Sequence, residues 1–187
     1  MPLPLAIDHA VIAVRDLDAA AARFAQLGFT LTPRGHHSFG SQNHCIMLAS
    51  TYLELLAAPV AHPWLDYYRA FLEHAEGFAA LALSTDDADA SYRQLKQRGI
   101  AARPPMDLAR PVDGGVARFR LVQIENLPQM FICQHLTRDL VWRREWQRHA
   151  NGATELVRPT QWTAGSALAV KGLRMPIEAH GVRLEPA

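Results

Sequence analysis

A histidine and a glutamate each interrupt an apolar, strand-like run: His9 within Ile7-Asp8-His9-Ala10-Val11-Ile12-Ala13-Val14, and Glu54 within Tyr52-Leu53-Glu54-Leu55-Leu56. A buried imidazole needs a hydrogen-bond partner, and an ionised carboxylate between two leucines is costly unless something pairs with it. The two groups suit each other. Together they can act as an acid/base pair, with Glu54 as a general base of raised pKa, or as ligands to a divalent cation. The plainer readings are a hydrogen-bonded core histidine and an edge-strand glutamate wetted by solvent.

Further candidates lie around these two. Tyr52 shares a strand face with Glu54, and His44 beside Asn43 opens the preceding strand. Near the end of the apolar region, Cys133, Gln134 and His135 follow one another. Cys133 and His135 fall on one face of a regular strand, the spacing of a thiol with a base, although a structural thiol is the commoner outcome. His36 and His37 lie in a polar loop, as solvated groups or as part of a lid. Arg118 and Arg120 share a strand face that turns either into a ligand site or to solvent.

The elements that position these residues come in two copies. Ile7 to Val14 leads through Asp16 and Asp18 into an Ala-rich helix that stops at Gly28. Phe78 to Ser84 leads through Asp86 and Asp87 into a helix that stops at Gly99, an offset of 71 residues (99 − 28). At that offset His9 falls on Ala80. In the first copy, Phe29 to Thr32, Cys45 to Leu48 and Tyr52 to Leu56 read as three further strands. In the second, a Pro-rich loop at Pro104, Pro105 and Pro111 precedes strands over Ala117 to Ile124 and Met130 to Gln134.

The expected fold class is therefore α+β: two tandem βαβββ units forming a curved mixed-sheet cup, plus a C-terminal helix and short strands. The units span about 5–58 and 77–136, joined by a helical connector over 59–76 that carries Trp64, Leu65, Tyr68, Phe71 and Leu72 at helical spacing. They make up a paired domain over 1–137, followed by an extension over 138–187. In that extension Leu140, Val141, Trp142 and Trp146 suggest an amphipathic helix closed near Asn151-Gly152, with short strands at Ala167 to Val170 and Val182 to Leu184.

This order of elements, opening on Asp8-His9-Ala10-Val11 and closing its first copy on Tyr52-Leu53-Glu54-Leu55, resembles the glyoxalase-like domains of the vicinal oxygen chelate superfamily. Phe131 to His135, Leu140 to Arg143 and His149 to Gly152 are similar to a subgroup of them. The resemblance implies a cup enclosing a small molecule, and a divalent metal (Zn, Ni, Mn or Fe) held by the first and last strands of each unit. Here those positions are His9 and Glu54 in one half, but Ala80 and either Cys133 or Gln134 in the other. Two ligands rarely hold a divalent ion tightly, so weak binding or no metal at all is expected.

Composition narrows the partners. With 19 basic and 18 acidic residues and a net charge of +1, no nucleic-acid partner is expected. No apolar run reaches the roughly 18 residues of a membrane span, and Met1 to Leu5 lacks the regions of a signal peptide, so the expectation is no membrane and a cytoplasmic location. Exposed sheet edges in such a fold lead to an expectation of a homodimer. The ligand is expected to be a small oxygenated or carbonyl compound, either transformed by a lyase or isomerase-type enzyme through His9 and Glu54, or simply bound or sequestered without catalysis.

Overall fold

The computed structural model describes residues 6–127, 129–157 and 167–187. The first unit consists of β1 (Ile7–Ala13), α1 (Leu17–Gln26), β2 (Gly35–His36), β3 (Gln42–Met47) and β4 (Tyr52–Ala57). A connecting helix, α2 (Asp66–His74), leads to the second unit: β5 (Gly77–Ser84), α3 (Ala88–Gln97), β6 (Met106–Val112), β7 (Gly115–Gln123) and β8 (Met130–His135). Each long helix starts on an aspartate whose carboxylate accepts a backbone N–H, Asp16 from Ala19 and Asp87 from Ala90. Each is followed by a glycine at positive φ, Gly28 at 84° and Gly99 at 71°, where a side chain would be strained.

The eight strands form one mixed sheet in the order β2-β3-β4-β1-β5-β8-β7-β6. Within the first unit β1 runs parallel to β4, within the second β5 runs parallel to β8, and the units join where β1 and β5 pair antiparallel. The outer strands then curl towards each other, and Ser38 N–H donates to Ala109 C=O across the seam between β2 and β6. The tandem βαβββ cup is thus a nearly closed, curved sheet.

One face of the sheet is covered by helices. Leu17, Ala20 and Phe24 of α1 pack against Ala10, Ile12 and Leu55, while Ala88 and Leu95 of α3 pack against Val122 and Ile132. The C-terminal strands β9 (Glu155–Leu156), β10 (Leu168–Lys171), β11 (Ile177–Ala179) and β12 (Val182–Pro186) make a second sheet in the order β11-β12-β10-β9. Its Leu168, Val170, Val182 and Leu184 join the same apolar cluster as Phe24 and Ile12. No described helix is long and apolar enough to cross a membrane.

Three local expectations are corrected. Phe29 to Thr32 is not a strand, because Thr30 is bound to the distant tail: its N–H donates to His149 Nδ1 and its hydroxyl to Arg148 C=O. The Pro-rich segment is largely strand β6, which pairs only with β7, and an outer strand tolerates Pro111 because one of its sides needs no ladder bond. The helix expected after residue 138 is replaced by two 3₁₀ turns, Arg138–Leu140 and Arg144–Trp146. There the chain folds over one end of the cup, with Trp142 edge-on to His135 at 4.8 Å and the Arg138 guanidinium 3.6 Å above its ring.

In β1, the strict alternation of a regular strand would set Ile7 with His9 and Asp8 on the opposite face, yet the pairing with β5 slips between Ile7 and His9. Ile7 joins the core cluster of Ala10, Ile12 and Val14, and both Asp8 and His9 are free to bond inside the cup.

Candidate functional site

The inner wall of the cup is built by strand register. His9 lies opposite Tyr52, and Glu54 lies between Val11 on one side and Cys45 on the other. Alternate residues of each strand point inward: Asn43 and Cys45 of β3, Tyr52, Glu54 and Leu56 of β4, Leu108 and Arg110 of β6, Phe119, Leu121 and Gln123 of β7, and Phe131 and Cys133 of β8. The cavity they surround has an empty volume of about 740 Å³, part of it open to solvent, and all of these residues except Cys45 line it. Trp64, Leu65, Tyr67 and Tyr68, from α2 and the turn before it, close one side.

A charged network runs along the wall. The buried His9 donates from Nδ1 to Asp8 Oδ2 at 2.6 Å, and its Nε2 faces Glu54 Oε2 at 3.5 Å. Asp8 Oδ2 also accepts from His135 Nε2 at 2.9 Å. On the far side, Asn43 Nδ2 donates to Glu54 Oε1 at 2.6 Å, and Asn43 Oδ1 accepts from Arg110 Nη1 at 2.9 Å. Tyr52 stacks on the His9 ring at 4.2 Å with a 17° interplanar angle, and Phe131 meets its edge at 5.4 Å. The imidazole is held in one orientation from two sides and one end.

Burial works against every charge here, but the pairing outweighs it. For His9, desolvation pushes the pKa down, while the bonds and charges of Asp8 and Glu54 carry it up to about 9. For Glu54, desolvation pushes up, while His9 beside it and the Asn43 amide hold it down at about 2. Asp8 is likewise held well below the usual carboxylate range by His135 and His9, against its burial. The resting site is an imidazolium between two carboxylates. Glu54 thus departs from the raised pKa expected of a buried carboxylate, because the partner that makes its burial tolerable is a cation.

The remaining sequence candidates fall on both sides of the wall. Tyr52 and Cys133 line the cavity, whereas His135 stands behind His9 and acts on it through Asp8. His44 turns away and bonds the Thr32 carbonyl, and Gln134 caps the second unit, donating to Asp86 C=O and accepting from Ala88 N–H. Of the loop histidines only His37 lines the cavity, bonded through Nδ1 to the Ser41 hydroxyl. Burial, aided by the charges of Arg110 and His9, lowers its pKa to about 4 and keeps it neutral. Arg120 faces outward to Asp89 and Asp107.

Asp8, Asn43, Arg110 and Gln123 were not signalled by the sequence. Asn43 stands two residues before Cys45, just outside the strand expected over Cys45 to Leu48, which in the structure extends back to Gln42. Arg110 was hidden in a segment read as a Pro-rich loop.

The four-ligand cation site implied by the family does not fit these residues. His9 and Glu54 face each other as ligands would, but Ala82 and Ala80, which lie opposite His9 and Val11 on β5, offer no donor atom. Burial also pushes the Cys133 thiol well above its ordinary pKa, which disfavours the thiolate a metal needs. Among the described residues, one group of three potential donors lies close together: Asp8, Cys133 and His135, with ligand atoms within 4.8 Å of one another. In that group Asp8 Oδ2 is shared between two histidines while Asp8 Oδ1 and His135 Nδ1 are buried without a partner, and the thiol is the poorest donor.

Known proteins agree with this architecture. The model of the glyoxalase-like domain matches residues 7–173. No curated protein matches the chain in sequence. Among solved structures, a hypothetical protein from Staphylococcus aureus superposes with a TM-score of 0.72 at 16% identity, covering 98% of this chain and 100% of that one. A variant of the Streptomyces coelicolor methylmalonyl-CoA epimerase in complex with 2-nitronate-propionyl-CoA superposes with a TM-score of 0.50 at 21% identity, covering 71% of this chain and 95% of that one. At these identities the likeness speaks for the fold. The match over most of the chain, on a paired βαβββ cup with a polar cluster inside, shows that the chain belongs to the glyoxalase-like domain family of the vicinal oxygen chelate fold.

Proposed function

We propose that the cup binds a small oxygenated or carbonyl compound and that Glu54 and His9 transfer a proton at the carbon beside its carbonyl, a lyase or isomerase-type reaction. The observation that carries this reading is the gap in the network. His9 is bound to Asp8 at 2.6 Å, but its cavity-facing nitrogen stands 3.5 Å from Glu54, longer than a charge-assisted hydrogen bond of about 2.7–2.9 Å. A ligand oxygen entering there takes the Nε2 proton as a hydrogen bond and is polarised by the imidazolium. Glu54 then loses the contact that depresses its pKa, and burial pushes the carboxylate back up towards the range of a useful base. Asp8 and Tyr52 fix the ring throughout, and no step passes through a metal.

A second reading is favoured by the aromatic lining from Phe39, Trp64, Tyr68, Phe119 and Phe131: a binding or sequestration protein that holds an aromatic or apolar compound without changing it. Deuterium uptake from heavy water by a panel of small carbonyl compounds separates the two. Proton transfer predicts uptake at the carbon beside the carbonyl, lost in Glu54→Gln and His9→Gln. Saturable binding with no uptake above the uncatalysed rate would sink the enzymatic reading and leave the binding protein.

A further inference from the structure

We infer that Arg110 is an anion subsite of the cup and that the ligand carries a carboxylate on an apolar or aromatic body. This rests on the reading that the cup is the ligand site, but not on catalysis. Arg110 is 4% exposed, and among the described residues it forms no ion pair. Other arginines do find carboxylates, Arg34 with Asp18 and Arg120 with Asp89 and Asp107. Glu54 reaches Arg110 only through the Asn43 amide, which takes Nη1. Its Nη2 has only the Cys45 sulfur at 3.9 Å, and its Nε is buried with no partner. Burial pushes the Cys45 thiol up to about 12, so it supplies no negative charge.

A buried guanidinium with no carboxylate in direct contact is costly unless a charge arrives to meet it. Nε without a partner and Nη2 with only a long contact to sulfur form one edge of the guanidinium, the fork that donates to a carboxylate through two parallel hydrogen bonds. Gly35 leaves room for the guanidinium: a Cβ there would meet Arg110 Nη1 and Asn43 Oδ1 and push one of them aside. A carboxylate fits better than a phosphate dianion, because one guanidinium balances one charge while Glu54 stands nearby on the same wall. The rest of the ligand meets Phe119, Phe131, Leu121 and Tyr68, which ask for an apolar or aromatic body, and the unpartnered Gln123 Oε1 offers an acceptor to a hydroxyl.

The probes are matched pairs, mandelate with mandelamide and phenylpyruvate with its methyl ester, titrated by calorimetry into the full chain. The wild type is expected to bind an acid about tenfold or more tighter than its neutral partner, the contribution of one charge-assisted contact. Arg110→Gln is expected to remove that preference, and Arg110→Lys to keep part of it. Leu121→Phe, which crowds the cavity and leaves Arg110 untouched, is expected to weaken both members of a pair. Equal affinity of acid and neutral partner in the wild type, a preference that survives Arg110→Gln, or no saturable binding of either acid would overturn the inference. The wild-type comparison stands even if a variant does not fold. Acid preference without deuterium uptake would refute the catalytic reading alone, and uptake by neutral carbonyl compounds without acid preference would refute this inference alone.

Discussion

The chemistry of the cup rests on one imidazolium and the two carboxylates that make its burial tolerable. His9→Ala leaves Asp8 and Glu54 buried without their shared cation and is expected to cost about 3–5 kcal/mol in denaturant unfolding. The pH dependence follows from the two shifts. The pKa of His9 is raised from 6.5, so its contribution to stability is complete below that value and is lost as pH rises through about 9. That of Glu54 is lowered from 4.5, so its contribution is complete above that value and fades as pH falls towards about 2. Unfolding free energies measured across pH should show an alkaline decline that His9→Gln flattens; an unchanged alkaline limb would mean that the imidazole is not charged in the folded protein. At this scale the sequence displayed His9 and Glu54 because a polar group inside an apolar run is conspicuous. It hid Asp8, whose role depends on a slip in pairing that no residue type announces.

Elements decide which side chains meet. The slip in β1 brings Asp8 to His9 and His135, so Asp8→Asn, close in size but neutral, should lower the His9 pKa. An imidazole titration by NMR that is unmoved in this variant would contradict the assigned role. Across the seam, Gly35→Ala forces Asn43 and Arg110 aside and is expected to cost about 1–3 kcal/mol, with Glu54 losing part of its support. Calorimetric unfolding checks the cost, and a neutral effect would mean that the seam is loose. The capped helices and their glycine stops were readable because local hydrogen bonds dictate them. The segment at Phe29 to Thr32 and the turns after Thr137 were not, because the tail and the cup rim decide their conformation, and those partners are more than a hundred residues away in the first case.

On the scale of the whole molecule, duplication explains the frame and its mismatch explains the site. Two βαβββ units pair through β1 and β5, yet the charged network draws most of its members from the first unit, with Arg110 and His135 reaching in from the second. The repeat therefore made the fold legible, whereas contacts across the seam and over the rim left no trace in the sequence. The C-terminal sheet shares one apolar cluster with α1, so Leu184→Ala is expected to cost about 2–5 kcal/mol within a single cooperative transition. Two separate transitions would mean that the tail folds independently of the cup. If Glu54 and His9 act together on a proton beside a carbonyl, the rate of deuterium uptake by a bound carbonyl compound, wild type against Glu54→Gln, reads that step directly. Uptake is expected to fall by about a hundredfold or more in the variant while binding persists. Uptake at the wild-type rate in Glu54→Gln would contradict that joint action.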